Sequence, residues 1–194
     1  MQREQILKEK IVLASKSPRR AEILRAVGWP FETMAAGIDE SRGVSEDAVT
    51  YVKRLAQTKA EAVARKLSSG IVLGADTVVV IDGEILGKPR DREDSRRMLT
   101  LLSGKWHEVL TGVVMLRIGE SSRSVAAYES TRVRFSEMFE AEIEWYVATG
   151  EPMDKAGAYA VQGRAALFIE EIQGDYFNIV GLPIRLVYEL SRKV

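Results

Sequence analysis

Asp76 is the one acid in the run Ile71 to Ile81 (IVLGADTVVVI), which is otherwise apolar, small or β-branched. An ionised carboxylate in a buried strand is costly unless it is paired, hydrogen-bonded or metal-bound. The position therefore reads as a general base or a Mg²⁺ ligand at the edge of a sheet. The alternative is that Gly74 marks a bulge and Asp76 points to solvent; the apolar flanks favour function. A second candidate is Ser15-Lys16-Ser17-Pro18-Arg19-Arg20. If Ser17 caps a helix, Arg19 and Arg20 fall in its first turn, where the macrodipole disfavours each cation by about 0.3–1 kcal/mol. Free backbone N–H groups at the same end form an anion site, so a phosphate would complete the set. Two solvated arginines with a small dipole penalty are the plainer alternative. Gly87-Lys88-Pro89-Arg90-Asp91 places a lysine, a point-charge phosphate binder, on a turn before a helix. The glycine-punctuated stretch from Gly150 to Gly163 has the polar density of a binding loop, and its Gln162 could pair with the edge of a base or amide.

Other chemistries are excluded. No G-x-x-x-x-G-K-[ST] occurs, since Gly87-Lys88 runs into Pro89 and Gly104-Lys105 into Trp106; G-x-G-x-x-G, G-x-S-x-G and H-E-x-x-H are missing as well. His107 is the only histidine and reads as structural or superficial. The chain has no cysteine, which removes disulfides, thiolate metal sites and cysteine nucleophiles together. Its 28 basic and 28 acidic residues cancel, which argues against a nucleic-acid binder with a broad basic face. No apolar stretch approaches the ~20 residues of a membrane span, and the opening residues lack the apolar core of a signal peptide. A soluble, cytoplasmic protein without a membrane partner is expected.

These residues must be positioned by alternating strands and helices. Residues 11–15 read as a buried strand, and Ser17-Pro18 opens a helix through about residue 27, because serine is a favoured N-cap and proline a favoured first helical residue. Residues 31–36 form a second strand. Between Glu46 and Leu67, Val49, Val52, Leu55, Ala56, Ala60, Val63 and Leu67 recur at helical spacing. The strand 71–81 turns at Asp82-Gly83 into a return strand at Glu84–Leu86. Asp91 caps a helix to about Leu102, with Gly104 just past its end. Strands near 107–118 and 123–135 flank a second hairpin turn at 119–122. A helix over Glu137–Thr149 stops at Gly150, residues 166–171 make a strand, and Pro183–Arg192 a terminal helix. Hairpins mixed with helical crossovers give an α/β fold with a mixed twisted sheet flanked by helices. At 194 residues, without linker or repeat, a single domain over 1–194 is expected, with 1–10 a short N-terminal extension.

Taken in order, S-x-S-P-R-R, G-A-D-T-V-V-V, G-K-P-R-D, S-G-K-W-H-E-V-x-T-G-V, G-E-P-M-D-K-A-G-A-Y-x-x-Q-G and D-Y-F-N-I-V-G-L-P resemble the Maf family from about residue 11 to residue 187. The resemblance implies a nucleoside triphosphate pyrophosphatase with a fold similar to the inosine triphosphate pyrophosphatases and a divalent metal, Mg²⁺ or Mn²⁺. It implies Asp76 as proton acceptor, with Glu40 and Lys88 beside it in catalysis. Ser15, Arg20 and Lys59 would bind substrate, Asp76 and Glu40 would hold the metal, and Arg19, Thr77 and Gln162 would choose the base. The arginine pair, D-T and Q-G look like the members that prefer dTTP and UTP; members preferring 7-methyl-GTP tend to carry an aromatic residue in place of the first arginine. A nucleotide-sensing regulator of septum formation is the competing class. The implied partner is a nucleoside triphosphate, and a homodimer stays open.

Overall fold

Proline fixes its own φ near the helical value, and the structure places helix α1 at Pro18–Ala26, immediately after strand β1 (Ile11–Leu13). This computed structural model describes residues 9–43, 45–120 and 122–194. Of the N-terminal extension expected over 1–10, only Glu9 and Lys10 fall among them, and Ser121 of the expected second turn lies outside them. Strand β2 (Phe31–Thr33) and helix α2 (Ala48–Ala64) follow, then β3 (Gly70–Ile81) and β4 (Glu84–Leu86). Asp82 and Gly83 both take positive φ, 50° and 80°, the backbone that a two-residue hairpin turn requires. Asp91 accepts the Asp94 N–H at 2.8 Å and so caps α3 (Arg92–Leu102) as expected. Strands β5 (Trp106–Ile118) and β6 (Arg123–Phe135) precede α4 (Glu140–Ala148), β7 (Ile169–Gln173), α5 (Tyr176–Val180) and α6 (Ile184–Ser191).

The strands form one mixed sheet in the order β2-β1-β3-β5-β6-β7, with β4 paired to β3. β1 runs parallel to both β2 and β3, with Leu13 opposite Thr33 and Leu73, so α1 and α2 are the crossovers that parallel neighbours demand. β4 on β3 and β7 on β6 are antiparallel.

Three expectations shift. β7 begins at Ile169 rather than 166, because Arg164–Phe168 forms a short 3₁₀ segment. The stretch before it, Gly150 to Ala158, is also broken into 3₁₀ turns. Helix α5 lies in a stretch given no element from the sequence; five residues are too few for a periodic signal to emerge.

The backbone groups into two compact units. The first comprises the chain to Asp76 with Thr111–Glu129 and Gly181–Val194; the second comprises Thr77–Leu110 and Ser130–Val180. In the first, Ala14, Ala56, Ala60, Val63, Val72 and Val114 form a buried cluster of mostly small side chains where α2 lies on the sheet. In the second, Phe135, Tyr146, Tyr159 and Phe168 anchor a larger apolar core.

Candidate active site

Residues two apart on a strand share a face, so Val72, Gly74 and Asp76 all point toward α2. Val72 packs among Ala56, Ala60 and Val63. Gly74 has no side chain because none would fit: a Cβ there would lie 3.0 Å from the Ala60 Cβ and far inside contact with the Ala56 carbonyl oxygen. A Cβ on Gly112 of β5 would meet Val52 and Lys53 of the same helix in the same way. Two glycines thus let α2 settle on the strands, and the next inward position on β3 is Asp76.

Asp76 is 7% exposed and Lys59 8%. The Lys59 Nζ donates to Asp76 Oδ1 at 2.5 Å and also lies 2.8 Å from Glu40 Oε1, a carboxylate still about half open to solvent. Burial pushes the Asp76 carboxyl above the usual carboxylate range, against the pull of Lys59 and Arg20. A base held in this way is a better proton acceptor than a free aspartate. The bulge alternative therefore fails: Asp76 points inward onto an ammonium group.

Arg20 is buried as well. Its Nε donates to the Gly181 carbonyl at 2.7 Å, and its Nη1 to the Ala75 carbonyl at 2.8 Å and to Ser15 Oγ at 3.3 Å. Burial lowers its pKa, but a guanidinium starts so high that it keeps its charge. Ser17 occupies the N-cap position of α1 yet makes no side-chain cap; its N–H instead donates to Ser15 Oγ at 3.1 Å. Ser15 thus orders the backbone just ahead of the helix, while the Ser17 side chain leaves the first turn uncapped. Arg19 is half-buried on the first turn of α1, beside Arg20.

The first unit therefore brings Ser15, Arg20, Glu40, Lys59 and Asp76 together. Thr77, half-buried, follows Asp76 on β3. Lys88 and Gln162 stand on exposed turns of the second unit. The Gly157 N–H donates to the Gly87 carbonyl at 3.0 Å, and Gly157 is pressed on Val79, so the Lys88 turn, the loop leading to Gln162 and the continuation of β3 are joined there.

Two residues escaped the sequence reading. Tyr51 Oη donates to the Glu40 carbonyl at 2.7 Å, and Arg54 donates to the Ser41 carbonyl at 3.0 Å while gripping Glu46 with Nε at 2.7 Å and Nη2 at 2.8 Å. Both lie on α2 and tie the Glu40 segment to the helix that carries Lys59. Nothing in their spacing announces this. Lys59 did leave a signal, for it falls on the same stripe as Val52, Ala56, Ala60 and Val63, and a charge on a buried helical stripe needs a partner. Of the two roles left open for His107, structural or superficial, the structure shows the buried one: its Nε2 lies 2.9 Å from Tyr159 Oη, with Phe135 and Tyr159 packed edge-on around it.

Asp76 and Glu40 are hard oxygen donors next to one cation. Mg²⁺ is commonly held by one or two carboxylates, with substrate phosphates and water completing its shell. The pair fits that pattern, and among the described residues no group of three or more metal-binding side chains gathers into a cage.

A model of the Maf family, described as Maf-like protein, matches residues 10–194. A protein of Symbiobacterium thermophilum named dTTP/UTP pyrophosphatase is 50% identical over 182 residues, covering 94% of this chain and 92% of its own length. One of the same name from Bacillus cytotoxicus is 49% identical over 185 residues, covering 95% of each. Among solved structures, the Staphylococcus aureus Ham1 protein aligns with 95% of this chain and 99% of its own, with a TM-score of 0.55 at 14% identity, a likeness of fold.

Proposed function

From the premise that this chain belongs to the Maf family, we propose that it is a nucleoside triphosphate pyrophosphatase that hydrolyses dTTP and UTP to the monophosphate and pyrophosphate. Asp76 takes the proton from the water that attacks the α-phosphorus, and pyrophosphate leaves. Arg20 and Lys59 face the negative charge that grows on the phosphoryl oxygens, and Lys88 is a further cation for the polyphosphate. Lys59 does two things, since its ammonium also bridges the Asp76 and Glu40 carboxylates. Asp76 and Glu40 would hold a divalent cation, which when bound neutralises phosphate charge. Ser15 binds substrate through the oxygen that already orders the Ser17 N–H and Arg20.

The base is chosen by Arg19, Thr77 and Gln162. Thymine and uracil present two carbonyls and one N–H; a guanidinium donates to a carbonyl, and a glutamine amide both donates and accepts. We place this chemistry in the cytoplasm, in one Maf-like domain.

The cluster of buried Asp76 and Lys59 with the half-open Glu40 carries the reading. Asp76→Asn keeps the shape and removes the charge, so turnover of dTTP should fall at least ~10²-fold with the fold retained. Wild-type turnover by that variant would make Asp76 structural and end the mechanism. In ¹⁸O-water the label should enter the nucleoside monophosphate. Label confined to inorganic phosphate, with a diphosphate as product, would refute attack at the α-phosphorus.

A further inference from the structure

The exposed Gln162 makes base selection depend on a residue whose place is set by its backbone, and that backbone is fixed from beneath by a single pair of side chains. Tyr146 is wholly buried on α4, and its Oη donates to Glu151 Oε1 at 2.8 Å. The same Oη accepts the Ala160 N–H at 3.2 Å, two residues before Gln162. Glu151 accepts the Arg164 N–H, two residues after it, at 3.0 Å on Oε1 and 3.2 Å on Oε2. The turn closes on itself where the Gly163 N–H meets the Ala160 carbonyl at 3.0 Å. Gly163 lies flat on the carboxylate: a Cβ there would fall 2.5 Å from Glu151 Cδ and 2.6 Å from Oε2. Glu151 is itself steadied, its N–H on Thr149 Oγ1 at 3.2 Å and its carbonyl under Lys155 Nζ at 3.2 Å.

We infer that Tyr146 and Glu151 form a clamp that sets the height and direction of Gln162, and are positioning residues for base selection. The inference rests on the assignment of Gln162 as a base-reading residue. Both ends of a five-residue turn, Ala160 and Arg164, are bound to one connected pair of side chains, and the residue between them reaches outward. The acceptor pattern asks for a carboxylate. Glutamine at 151 could keep one oxygen on both the Tyr146 hydroxyl and the Arg164 N–H, but its N–H₂ would then stand in the Oε2 place, 3.2 Å from the Arg164 nitrogen, donor against donor. Tyr146 and Glu151 hydrogen-bond to the Gln162 turn itself, so altering them changes how the base is held while every residue assigned to the phosphate chemistry is kept.

Four variants test this: Tyr146→Phe, which deletes one oxygen from a ring that keeps its packing, Glu151→Gln, Glu151→Asp and Gln162→Ala. Each is assayed for kcat and KM on dTTP, CTP and ribose 5′-triphosphate, which has no base. Melting curves confirm folding, and Tyr146→Phe carries the test if Glu151→Gln does not fold. The clamp variants should raise KM for dTTP about tenfold, as expected for one misaligned hydrogen-bonding group. Their kcat should stay within about twofold, the dTTP-to-CTP ratio of kcat/KM should fall, and the baseless substrate should be turned over as by wild type. Glu151→Asp, which retains both acceptor oxygens, should recover part of the ratio. Loss of selectivity in Gln162→Ala but not in the clamp variants would overturn the clamp alone. Unchanged selectivity in Gln162→Ala would overturn the role of Gln162 and the clamp with it. Equal losses on all three substrates would show Tyr146 and Glu151 to be merely structural.

Discussion

Gly74→Ala places a single methyl group between β3 and α2 and tests how the ion cluster is assembled. The new Cβ would lie roughly 1 Å inside normal contact with the Ala56 carbonyl oxygen, and 3.0 Å from the Ala60 Cβ. β3 cannot retreat, because it is hydrogen-bonded to β1 on one side and β5 on the other. The helix must therefore lift by roughly 1 Å over the turn that contains Lys59. Overpacking of this kind costs about 1–3 kcal/mol, and in a chain of this size each kcal/mol lowers Tm by about 2–4 °C. A fall in Tm of roughly 2–12 °C is expected. The Lys59–Asp76 contact, 2.5 Å in the structure, would stretch unless the lysine chain re-extends. A misplacement near 1 Å can cost about 10²-fold in rate, so kcat for dTTP should drop well below wild type at a temperature where the variant is folded. Gly43→Ala is the control, since a Cβ there meets Glu46 only at ordinary distances of 3.6 Å or more, and it should change stability by less than about 0.5 kcal/mol. Calorimetry and a pyrophosphate-release assay suffice. A Gly74→Ala protein with wild-type Tm and kcat would refute the idea that close approach of α2 to β3 seats Lys59.

Burial holds the His107 imidazole near a pKa of about 4 against 6.5 for the free side chain. Between those values the unfolded chain takes up a proton that the folded one refuses, so stability should fall as pH drops from 6.5 toward 4, by about 3 kcal/mol across the window. Urea unfolding at several pH values should show this slope, and His107→Gln should flatten it; an unchanged slope would assign it to carboxylates. Arg19→Trp should weaken the preference for dTTP and UTP and improve turnover of 7-methyl-GTP, whose cationic base an indole face attracts and a guanidinium repels. If the unmodified protein already has an equal or better kcat/KM for 7-methyl-GTP, the pyrimidine assignment falls while the pyrophosphatase reading stands. Chelation with excess EDTA should lower turnover by more than ~10-fold, with recovery on adding Mg²⁺ or Mn²⁺; turnover indifferent to EDTA would remove Asp76 and Glu40 as metal-holding residues.

Local chemistry was legible in the sequence wherever a residue acts on its own neighbours. Pro18 started α1, Asp82-Gly83 turned the hairpin, and Asp91 capped α3, each because backbone geometry within four residues decides the outcome. The candidacy of Asp76 was legible for the same kind of reason, an acid stranded in an apolar strand. What Asp76 does there was not. Its partners Lys59 and Glu40 lie 17 and 36 positions away, and no spacing rule links them until α2 crosses from β2 to β3 and the two glycines let it settle. Arg20 followed the same course: its place on the first turn of α1 was clear, but its donors go to the carbonyls of Ala75 and Gly181, which only the folded chain brings within reach. Ser17 takes the N-cap position without a side-chain cap, and its own N–H goes to Ser15 Oγ, a bond the sequence reading did not foresee. Strand order, the partners of buried charges and the footing of the Gln162 turn are products of long-range closure, in which each contact depends on two distant segments being ordered at once.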